Sequence, residues 1–381
     1  METKKYRFDE VTINFDKKRI PLSSAQREKK QGTFRYYGAQ GVIDHVDDYI
    51  FDGTYLLIAE DGENLKSKKQ NIAQVVDGQF WVNNHAHIVQ GNERCDTRFL
   101  CYLINSMDLS GYVTGSAQPK LSQANLNAVT LSLPSVAEQK KIVEYLYMLD
   151  QKIDVNRQIN DNLYAQAKAT TKQWIAKSTG DYELLPLSEI ASINPDTYSP
   201  KEAWKYVNYL DTSSIIEGCI AEIQHITPSS EKLPSRARRK IAPNDIVFST
   251  VRPNQRHYGI ISEPLPNMLG STGFAVIRSK NPLVCNELIY LCLTENEFIE
   301  KMQQLAEQST STFPSIKPSD LSVCEIPCPK DQSSTSFTET LKSLFALIAA
   351  NQRENISLSE IRDALLPKLM SGEIDVSAVQ L

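Results

Sequence analysis

The chain lacks the features that would place it in a membrane or in an oxidising compartment. No stretch approaches the roughly 18 to 20 uninterrupted apolar residues that a membrane span needs. The first residues, Met1-Glu2-Thr3-Lys4-Lys5-Tyr6-Arg7, contain no apolar core of the signal-peptide kind. The seven cysteines are an odd number without a C-x-x-C pair, so we expect reduced thiols rather than disulfides or a zinc site. A cytoplasmic protein without membrane association is predicted.

The sequence also lacks the short motifs of common enzymes. It contains no Gly-x-x-x-x-Gly-Lys phosphate loop, no H-E-x-x-H pair and no G-x-S-x-G elbow. Asn194-Pro195-Asp196 and Asn281-Pro282-Leu283 both fail the N/D-P-P-Y/F motif of adenine methyltransferases. Glu28-Lys29-Lys30 and Asp16-Lys17-Lys18 resemble nuclease elements, but we interpret both as solvated charge runs. We therefore predict a chain that is not an enzyme and that needs no cofactor and no metal.

What the sequence does contain is an internal repeat. A shift of 195 positions overlays Pro119 on Pro314 and continues without a gap to Leu163 on Leu358. The other matched positions are Leu126 with Leu321, Leu131 with Ile326, Pro134 with Pro329, Glu144 with Glu339, Leu146 with Leu341, Leu149 with Leu344, Ile153 with Ile348, Asn156 with Asn351, and Asn160 with Asn355. The residues upstream of this register scarcely match. The chain therefore consists of two copies of one unit. In each copy the matched part forms a common frame, and the part upstream of it, which we call the head, differs in sequence.

Each copy ends in a predicted long helix. Residues 135–177 contain neither Gly nor Pro, and Ser135 with Glu138 three positions later is the pattern of a capping box. Steps of four and three residues then mark a coiled-coil seam in both copies. The first seam is Ile142, Leu146, Leu149, Ile153, Asn156, Asn160, Leu163, Ala167, Thr170 and Trp174, and the second is Phe337, Leu341, Leu344, Ile348, Asn351, Asn355, Leu358 and Leu365. Arg362 interrupts the second seam. We expect the two helices to pair antiparallel, with the heads at opposite ends.

The asparagines in the two seams have a predicted structural role. A polar residue at a seam position lowers stability but fixes the register, because a misaligned amide is buried without a hydrogen bond. We predict that Asn156 and Asn160 meet Asn351 and Asn355. The alternative is that these positions are solvated at a frayed seam.

The two heads are predicted to be mixed α+β domains dominated by short strands. Turn signals such as Asp52-Gly53, Asp61-Gly62 and Asp77-Gly78 separate short alternating segments in the first head. The expected fold is two pseudo-repeated recognition domains joined by two long helices in an antiparallel coiled coil. The expected domains are residues 1–134 for the first head, 135–178 for the first helix, 179–332 for the second head, and 333–381 for the second helix and the C-terminal tail.

Several stretches in both heads and both helices resemble the specificity subunit of type I restriction-modification systems. They are Tyr55-Leu56-Leu57-Ile58-Ala59-Glu60-Asp61-Gly62, Phe80-Trp81-Val82-Asn83-Asn84-His85-Ala86-His87, Gly115-Ser116-Ala117-Gln118, Leu133-Pro134-Ser135-Val136-Ala137-Glu138-Gln139-Lys140-Lys141-Ile142, Ser271-Thr272-Gly273-Phe274-Ala275-Val276, and Leu365-Leu366-Pro367-Lys368-Leu369-Met370-Ser371-Gly372-Glu373-Ile374. The resemblance departs at residues 330–336, where the second copy lacks the Glu-Gln-Lys-Lys start of the first helix. It implies that each head is a target recognition domain reading one part of a split sequence in double-stranded DNA. It also implies that the helices act as a spacer and dock two methyltransferase subunits, with restriction translocase subunits joining the complex.

Candidate DNA contacts in the second head follow from a local excess of positive charge. The net charge of the chain is -5, yet seven Lys or Arg residues against one acid lie between Lys232 and His257. Arg252 and Arg256 can pair with guanine, and Asn254 and Gln255 can pair with adenine. A solvated loop that touches only phosphate is the alternative. The predicted phosphate contacts are Arg236, Arg238, Arg239 and Lys240.

The first head is less basic. We predict phosphate contacts from Lys66, Lys68 and Lys69, and donors to base edges from Asn83, Asn84, His85 and His87, with Glu60 or Asp61 available to accept from cytosine. The loop with Ser116, Gln118 and Lys120 is also predicted to touch DNA. His85 and His87 also have the spacing of two metal ligands on one strand face, and polar residues with only structural roles are a further alternative.

Two other functions remain open at this point. One is a coiled-coil scaffold whose heads bind proteins, and the other is an enzyme with an unfamiliar site.

Overall fold

The computed structural model describes residues 2–67, 70–115, 118–177, 180–309 and 313–376. The chain divides into two compact units, one formed by residues 1–154 with 355–381 and the other by residues 155–354. Each unit contains one head and a segment of both long helices. None of the described helices combines the length and the apolar character that crossing a membrane requires.

The first head is built from short strands and helices in the order that the turn signals indicate. Its strands are β1 (Lys4–Arg7), β2 (Thr12–Asn14), β3 (Gln31–Gly38), β4 (Gly41–Val46), β5 (Phe51–Asp52), β6 (Tyr55–Ala59), β7 (Ala73–Val76), β8 (Gln79–Val82), β9 (Ala86–Gly91) and β10 (Thr130–Leu133). Its helices are α1 (Phe8–Val11), α2 (Ser24–Glu28), α3 (Asn64–Ser67), α4 (Thr97–Ser106) and α5 (Gln123–Asn127).

Two four-stranded sheets form the body of the first head. One has the order β2-β9-β6-β7 and is antiparallel, and the other has the order β4-β3-β8-β5 with a parallel pair between β3 and β8. Strand β6 is buried on both faces, because Leu56 and Ile58 pack with helix α4 while Leu57 packs with Phe80 of the second sheet. Such two-sided burial explains why its sequence is a continuous apolar run.

The second head has the same plan in a different sequence. Its strands are β11 (Tyr182–Pro186), β12 (Ala191–Ile193), β13 (Val207–Leu210), β14 (Ile215–Ile216), β15 (Cys219–Ile220), β16 (Gln224–Ile226), β17 (Ala237–Lys240), β18 (Asp245–Ser249), β19 (Tyr258–Ile261), β20 (Met268–Ser271), β21 (Phe274–Ser279) and β22 (Glu325–Pro329). The sheet orders are β12-β21-β18-β19 and β16-β13-β20-β17, with a parallel pair between β13 and β20. Strand β18 therefore occupies the place that β6 has in the first head.

Two long helices follow the heads. The first is α6 (Val136–Lys177). The helices of the second head are α7 (Leu187–Ile190), α8 (Asn286–Leu293), α9 (Asn296–Glu307) and α10 (Pro318–Ser322), and the second long helix is α11 (Thr335–Ser371). Ser135 and Glu138 form the predicted capping interaction, because the Ser135 N–H and hydroxyl both donate to Glu138 Oε2 at 2.9 and 2.7 Å. The predicted start of the first helix is confirmed.

The long helices pack antiparallel within each unit. In the first unit, Ile142 and Leu146 near the start of α6 share a core with Leu369 near the end of α11. In the second unit, Ala167 and Trp174 near the end of α6 share a core with Leu341 and Leu344 near the start of α11. Since opposite ends of the two helices meet in each case, the helices run in opposite directions. The predicted α+β architecture with paired helices is confirmed.

Arg362, which interrupts the apolar seam of α11, forms an ion pair with Asp150 of α6 in the first unit. Its Nη1 donates to Asp150 Oδ1 of α6 at 2.8 Å, and the hydroxyl of Tyr102 on α4 donates to Asp150 Oδ2 at 2.5 Å. Burial and the adjacent Asp150 carboxylate raise the pKa of Tyr102 above its usual value. This polar cluster joins the first head to both long helices.

Two of the seam asparagines meet in the second unit. Asn351 Nδ2 donates to Asn160 Oδ1 at 2.8 Å, and Asn160 Nδ2 donates to the carbonyl of Ile348 at 3.4 Å. Asn156 Nδ2 donates to Glu354 Oε2 at 2.7 Å. The use of these three asparagines and Asn355 to fix the register remains a prediction.

The asparagine pair can be tested with a double-mutant cycle. Asn351→Ala and Asn160→Ala are each expected to cost about 1 kcal/mol, because the remaining amide loses its partner. Asn160→Leu with Asn351→Leu is expected to raise stability, since the seam becomes apolar. Thermal unfolding of wild type, the two single alanine variants and the double alanine variant measures the coupling, with Gln158→Ala on the exposed face of α6 as the control. Strictly additive losses would show that the pair contributes nothing to the register.

Candidate nucleic-acid interface

A short turn presents the polar residues that follow strand β18 in the second head. Residues Pro253–Gln255 form one 3-10 turn, with Arg252 and Arg256 in the left-handed region on either side of it. Pro253 is buried, whereas Arg252, Asn254 and Gln255 are exposed. The buried proline anchors the turn, and three of the four predicted base-contacting side chains point outward from it.

The two arginines of this turn differ in what they contact. Arg256 is tied to its own domain, because its Nη1 lies 3.0 Å from Glu217 Oε1 and its Nη2 donates to Asn296 Oδ1 at 2.8 Å. The guanidinium carbon of Arg252 lies 5.0 Å from the centre of the Phe313 ring. Arg256 therefore braces the turn, and Arg252 is the arginine whose donors face solvent.

The predicted phosphate contacts around strand β17 also divide into exposed and engaged side chains. Arg236 is exposed, and Arg238 donates through Nε to the carbonyl of Ser235 at 3.2 Å. Lys240 is held by Glu202 at 2.6 Å and lies over the Trp204 ring. Arg239 has a buried Nε with no hydrogen-bond partner among the described residues, and burial lowers its pKa. Arg236 and Arg238 are the side chains here that remain available to an anion.

The first head places most of its predicted contacts near one loop. Lys66 Nζ donates to the carbonyl of Gly115 at 2.8 Å, and Lys120 Nζ lies 3.2 Å from Glu60 Oε1. Gln118 and Lys120 are exposed. Lys68, Lys69 and Ser116, which were also predicted contacts, lie outside the described residues. The loop thus carries an amide and an ammonium next to a carboxylate.

Several polar side chains between Asn83 and His87 form hydrogen bonds or ion pairs within the first head. Asn83 is buried, and its side-chain oxygen accepts from the backbone N–H of His85 at 2.8 Å. His85 Nδ1 lies 2.7 Å from Asp61 Oδ2, and Asn84 is exposed. Asn83 is therefore a turn-forming residue, and the exposed Asn84 and His85 are the members of this stretch that a base could reach.

His87 is buried in a polar network under this surface. Its Nδ1 lies 2.6 Å from Asp16 Oδ2 and its Nε2 lies 2.8 Å from the carbonyl oxygen of Leu121. Both ring nitrogens face oxygen acceptors, so this geometry favours the doubly protonated, positively charged form of His87. Burial alone would lower the pKa of His87, but the hydrogen bonds to Asp16 and Leu121 raise it above the ordinary value. Arg19 extends the network, with Nη1 2.9 Å from Glu60 Oε2.

This network corrects two sequence-based interpretations. Asp16 was interpreted as part of a solvated charge run, yet it is 7% exposed because it accepts hydrogen bonds from His87 and from the N–H of Ile88. His85 and His87 were considered as a metal pair, but they contact different carboxylates. No group of three or more metal-ligating side chains with suitable geometry occurs in the part of the chain that the structure describes.

Sequence reasoning missed Asp16, Arg19, Glu217 and Phe313. Asp16 and Arg19 are far from His87 and Glu60 in the sequence, and no local pattern connects them. Phe313 could have been noticed as an aromatic residue in a Ser/Thr-rich loop beside Pro314. Its proximity to Arg252 depends on an antiparallel bridge between Val251 and Ser315, which only the tertiary structure supplies.

The fold and these loops define a protein with an internal repeat and two topologically equivalent heads. The second head carries a turn that is rich in arginine and side-chain amides. Residues 2–165 match the family model described as "Type I restriction modification DNA specificity domain". Over this stretch the chain is similar to the DNA specificity domain of type I restriction-modification systems.

Two relatives from Haemophilus influenzae illustrate the sequence similarity. One, provisionally named a type I restriction enzyme specificity subunit, is 35% identical over 138 residues, which is 36% of this chain and 35% of that protein. The other is the type I restriction enzyme HindI specificity subunit, 22% identical over 85% of this chain and 84% of that protein. The crystal structure of the type I S subunit from M. genitalium superposes with a TM-score of 0.59 at 14% identity, covering 97% of this chain and 96% of the other. At 14% identity, the similarity to this crystal structure is evidence for the fold alone.

Proposed function

We propose that this chain is the cytoplasmic specificity subunit of a type I restriction-modification enzyme and reads a two-part sequence in double-stranded DNA. One observation carries the proposal: the two heads have matching sheet orders, while the loops at equivalent positions carry different polar residues. A common frame with different loops suits two readers of different sequences, because base recognition depends on side chains at loop positions and the frame positions them.

The proposed function assigns separate roles to the exposed side chains. Arg252, Asn254 and Gln255 in the second head, and Asn84, His85, Gln118 and Lys120 in the first, are proposed to face the bases. Lys66, Arg236 and Arg238 are proposed to contact phosphates, which position the protein without specifying sequence. Lys240 and Arg239 are weaker candidates, because Glu202 neutralises the first and burial restricts the second.

The long helices are proposed to set the gap between the two parts of the target and to dock the other subunits. A helix rises about 1.5 Å per residue, so helices of 42 and 37 residues provide rods of fixed length. Spacing between DNA contacts set by protein geometry is a form of specificity that needs no base contact. Two methyltransferase subunits and the restriction translocase subunits are the proposed partners.

The deciding experiment is selection from a random duplex library by the chain co-expressed with its neighbouring methyltransferase at physiological salt. The expected result is a motif in two parts with a fixed gap, of which only one part changes when one head is exchanged. Retained DNA without a motif, from a soluble complex, would contradict the proposal and favour a scaffold with protein-binding heads.

A salt series on the same complex tests the phosphate contacts. DNA affinity should fall steeply as salt rises, and Arg236→Ala with Arg238→Ala should reduce the slope of log affinity against log salt by about 2 for every sequence. Lys205→Ala is the control, because this exposed lysine of the second head is not a predicted DNA contact. A slope unchanged by the double substitution would remove these arginines from the interface.

A further inference from the structure

The second head places an arginine where the first head has a glycine. Two pairs of backbone hydrogen bonds establish the equivalence, and both involve the loop at the repeated proline. They are Gly62 N–H to Pro119 O at 3.2 Å with Arg252 N–H to Pro314 O at 2.9 Å, and Leu121 N–H to Glu60 O at 2.8 Å with Ile316 N–H to Thr250 O at 2.9 Å. Pro119 and Pro314 are also matched by the 195-residue repeat. Gly62 and Arg252 therefore occupy the same position in the two heads.

This position has a positive φ in both heads. The φ angle is +122° at Gly62 and +48° at Arg252. Glycine adopts such angles without cost, whereas a residue with a Cβ atom is strained there. Strained residues of this kind concentrate at functional sites, where the side chain has a use that offsets the strain. The backbone conformation at residue 252 favours glycine. The presence of arginine there therefore indicates that its side chain has a function.

The surroundings of Arg252 show what its side chain can do. The residue is exposed, its guanidinium carbon lies 5.0 Å from the centre of the Phe313 ring, and Phe313 is itself 53% exposed. None of the described residues forms a hydrogen bond or an ion pair with the guanidinium of Arg252. Contact with an aromatic ring orients the planar guanidinium and leaves its N–H donors unused. The first head has Gln118 at the position that the repeat matches to Phe313.

The turn beneath Arg252 is rigid. Pro253 is buried, the N–H of Asn254 donates to Gln303 Oε1 at 3.3 Å, and Arg256 is held by Glu217 and Asn296. A donor group on a braced turn loses little conformational freedom when it binds, so its hydrogen bonds contribute to discrimination between bases.

We infer that Arg252 reads a guanine in the second part of the DNA target and that Phe313 is its positioning residue. The inference rests on the proposed function and names the base at that site. The guanidinium edge carries two parallel N–H donors that match the O6 and N7 acceptors of guanine in the major groove. Arg256 acts through the turn and touches no base. The first head, with Gly62 and Gln118, reads its part of the target by other side chains.

The test is library selection with the methyltransferase complex, comparing wild type with Arg252→Gly, Arg252→Lys and Phe313→Leu. Arg252→Gly should lower the preference for guanine by about tenfold at one position in the second part of the DNA motif. The first part of the motif should not change. Arg252→Lys keeps the charge and should lose most of the same preference with an unchanged salt slope. Phe313→Leu should lower the preference by a smaller factor without weakening the binding of unrelated DNA.

Thermal unfolding supplies an independent readout that moves in the opposite direction. Arg252→Gly should raise the unfolding midpoint of the second head by roughly 2 to 4 °C, because glycine relieves the left-handed strain. Ala203→Gly is the matched control, since exposed Ala203 has a φ of +50°. It should stabilise to a similar extent without altering the selected sequence.

The possible failures are distinguishable. If the wild-type complex selects no two-part motif, the proposed function fails. If the motif is present and Arg252→Gly selects the same second part, or loses affinity equally for all sequences, the assignment of Arg252 as a guanine reader is overturned while the proposed function stands.

Discussion

Replacing Asp16 by alanine is expected to destabilise the first head by about 3 to 5 kcal/mol, because it leaves a buried positive charge without its partner. His87 is 1% exposed and is held between Asp16 Oδ2 and the carbonyl of Leu121. Asp16 also accepts from the N–H of Ile88 at 2.8 Å, so the alanine removes two hydrogen bonds at once. Amide hydrogen exchange in strands β6 and β9, together with thermal unfolding, measures the loss.

A surface pair in the same head provides the control. Asp9 contacts Arg7 at 2.9 Å, but both side chains are largely exposed to solvent. Asp9→Ala should therefore change stability by no more than about 1 kcal/mol. Equal effects of Asp16→Ala and Asp9→Ala would show that the Asp16–His87 pair does not support the fold.

The same pair predicts how stability depends on pH. The pKa of His87 is raised above 6.5, so its contribution is complete below about pH 6.5 and disappears as the pH rises through the folded-state pKa. Burial alone would raise the pKa of Asp16, but hydrogen bonds from His87 and Ile88 lower it below 3.8, so its contribution is lost only in stronger acid. The first head should be most stable between these limits. Asp16→Asn should abolish the His87-dependent loss above pH 6.5.

Replacing Trp174 by alanine is expected to cost about 3 to 5 kcal/mol in the second unit, because it removes a large buried ring. Trp174 is 9% exposed and stacks on Phe337 of α11, with ring centres 4.4 Å apart and planes within 6° of parallel. Its Nε1 donates to the hydroxyl of Ser334 at 3.1 Å. The residue joins the end of α6 to the start of α11, and thermal unfolding of the isolated chain measures its contribution.

Graded variants separate the parts of this interaction. Trp174→Phe keeps an aromatic ring against Phe337 and should lose only about 1 to 2 kcal/mol, through the missing hydrogen bond and some lost area. Leu347→Ala on the exposed face of α11 is the control and should stay within about 0.5 kcal/mol of wild type. A loss for Trp174→Ala no larger than for Leu347→Ala would mean that the helix ends are not held together through this residue.

Local patterns predicted much of the frame. Helix α6 begins at the predicted capping box, and strand β6 lies between the predicted turn signals Asp52-Gly53 and Asp61-Gly62. These predictions succeed because strand burial and helix capping leave periodic signals in neighbouring residues. The binding surface was predicted less well. Asn83 and Arg256 have the right chemistry for base contact, but Asn83 is buried and Arg256 is bound to Glu217, and sequence spacing shows neither fact.

By itself, the sequence determined that this protein is a duplicated frame with two long seam helices, because a gapless repeat and heptad spacing are one-dimensional properties. Tertiary structure alone decided which polar residues are available for recognition. The Asp16–His87 network, the bracing of Arg256 and the position of Arg252 over Phe313 all join residues from separate segments. Such contacts depend on how the strands and loops pack, and polar side chains of the same chemistry become buried supports or exposed donors according to that packing.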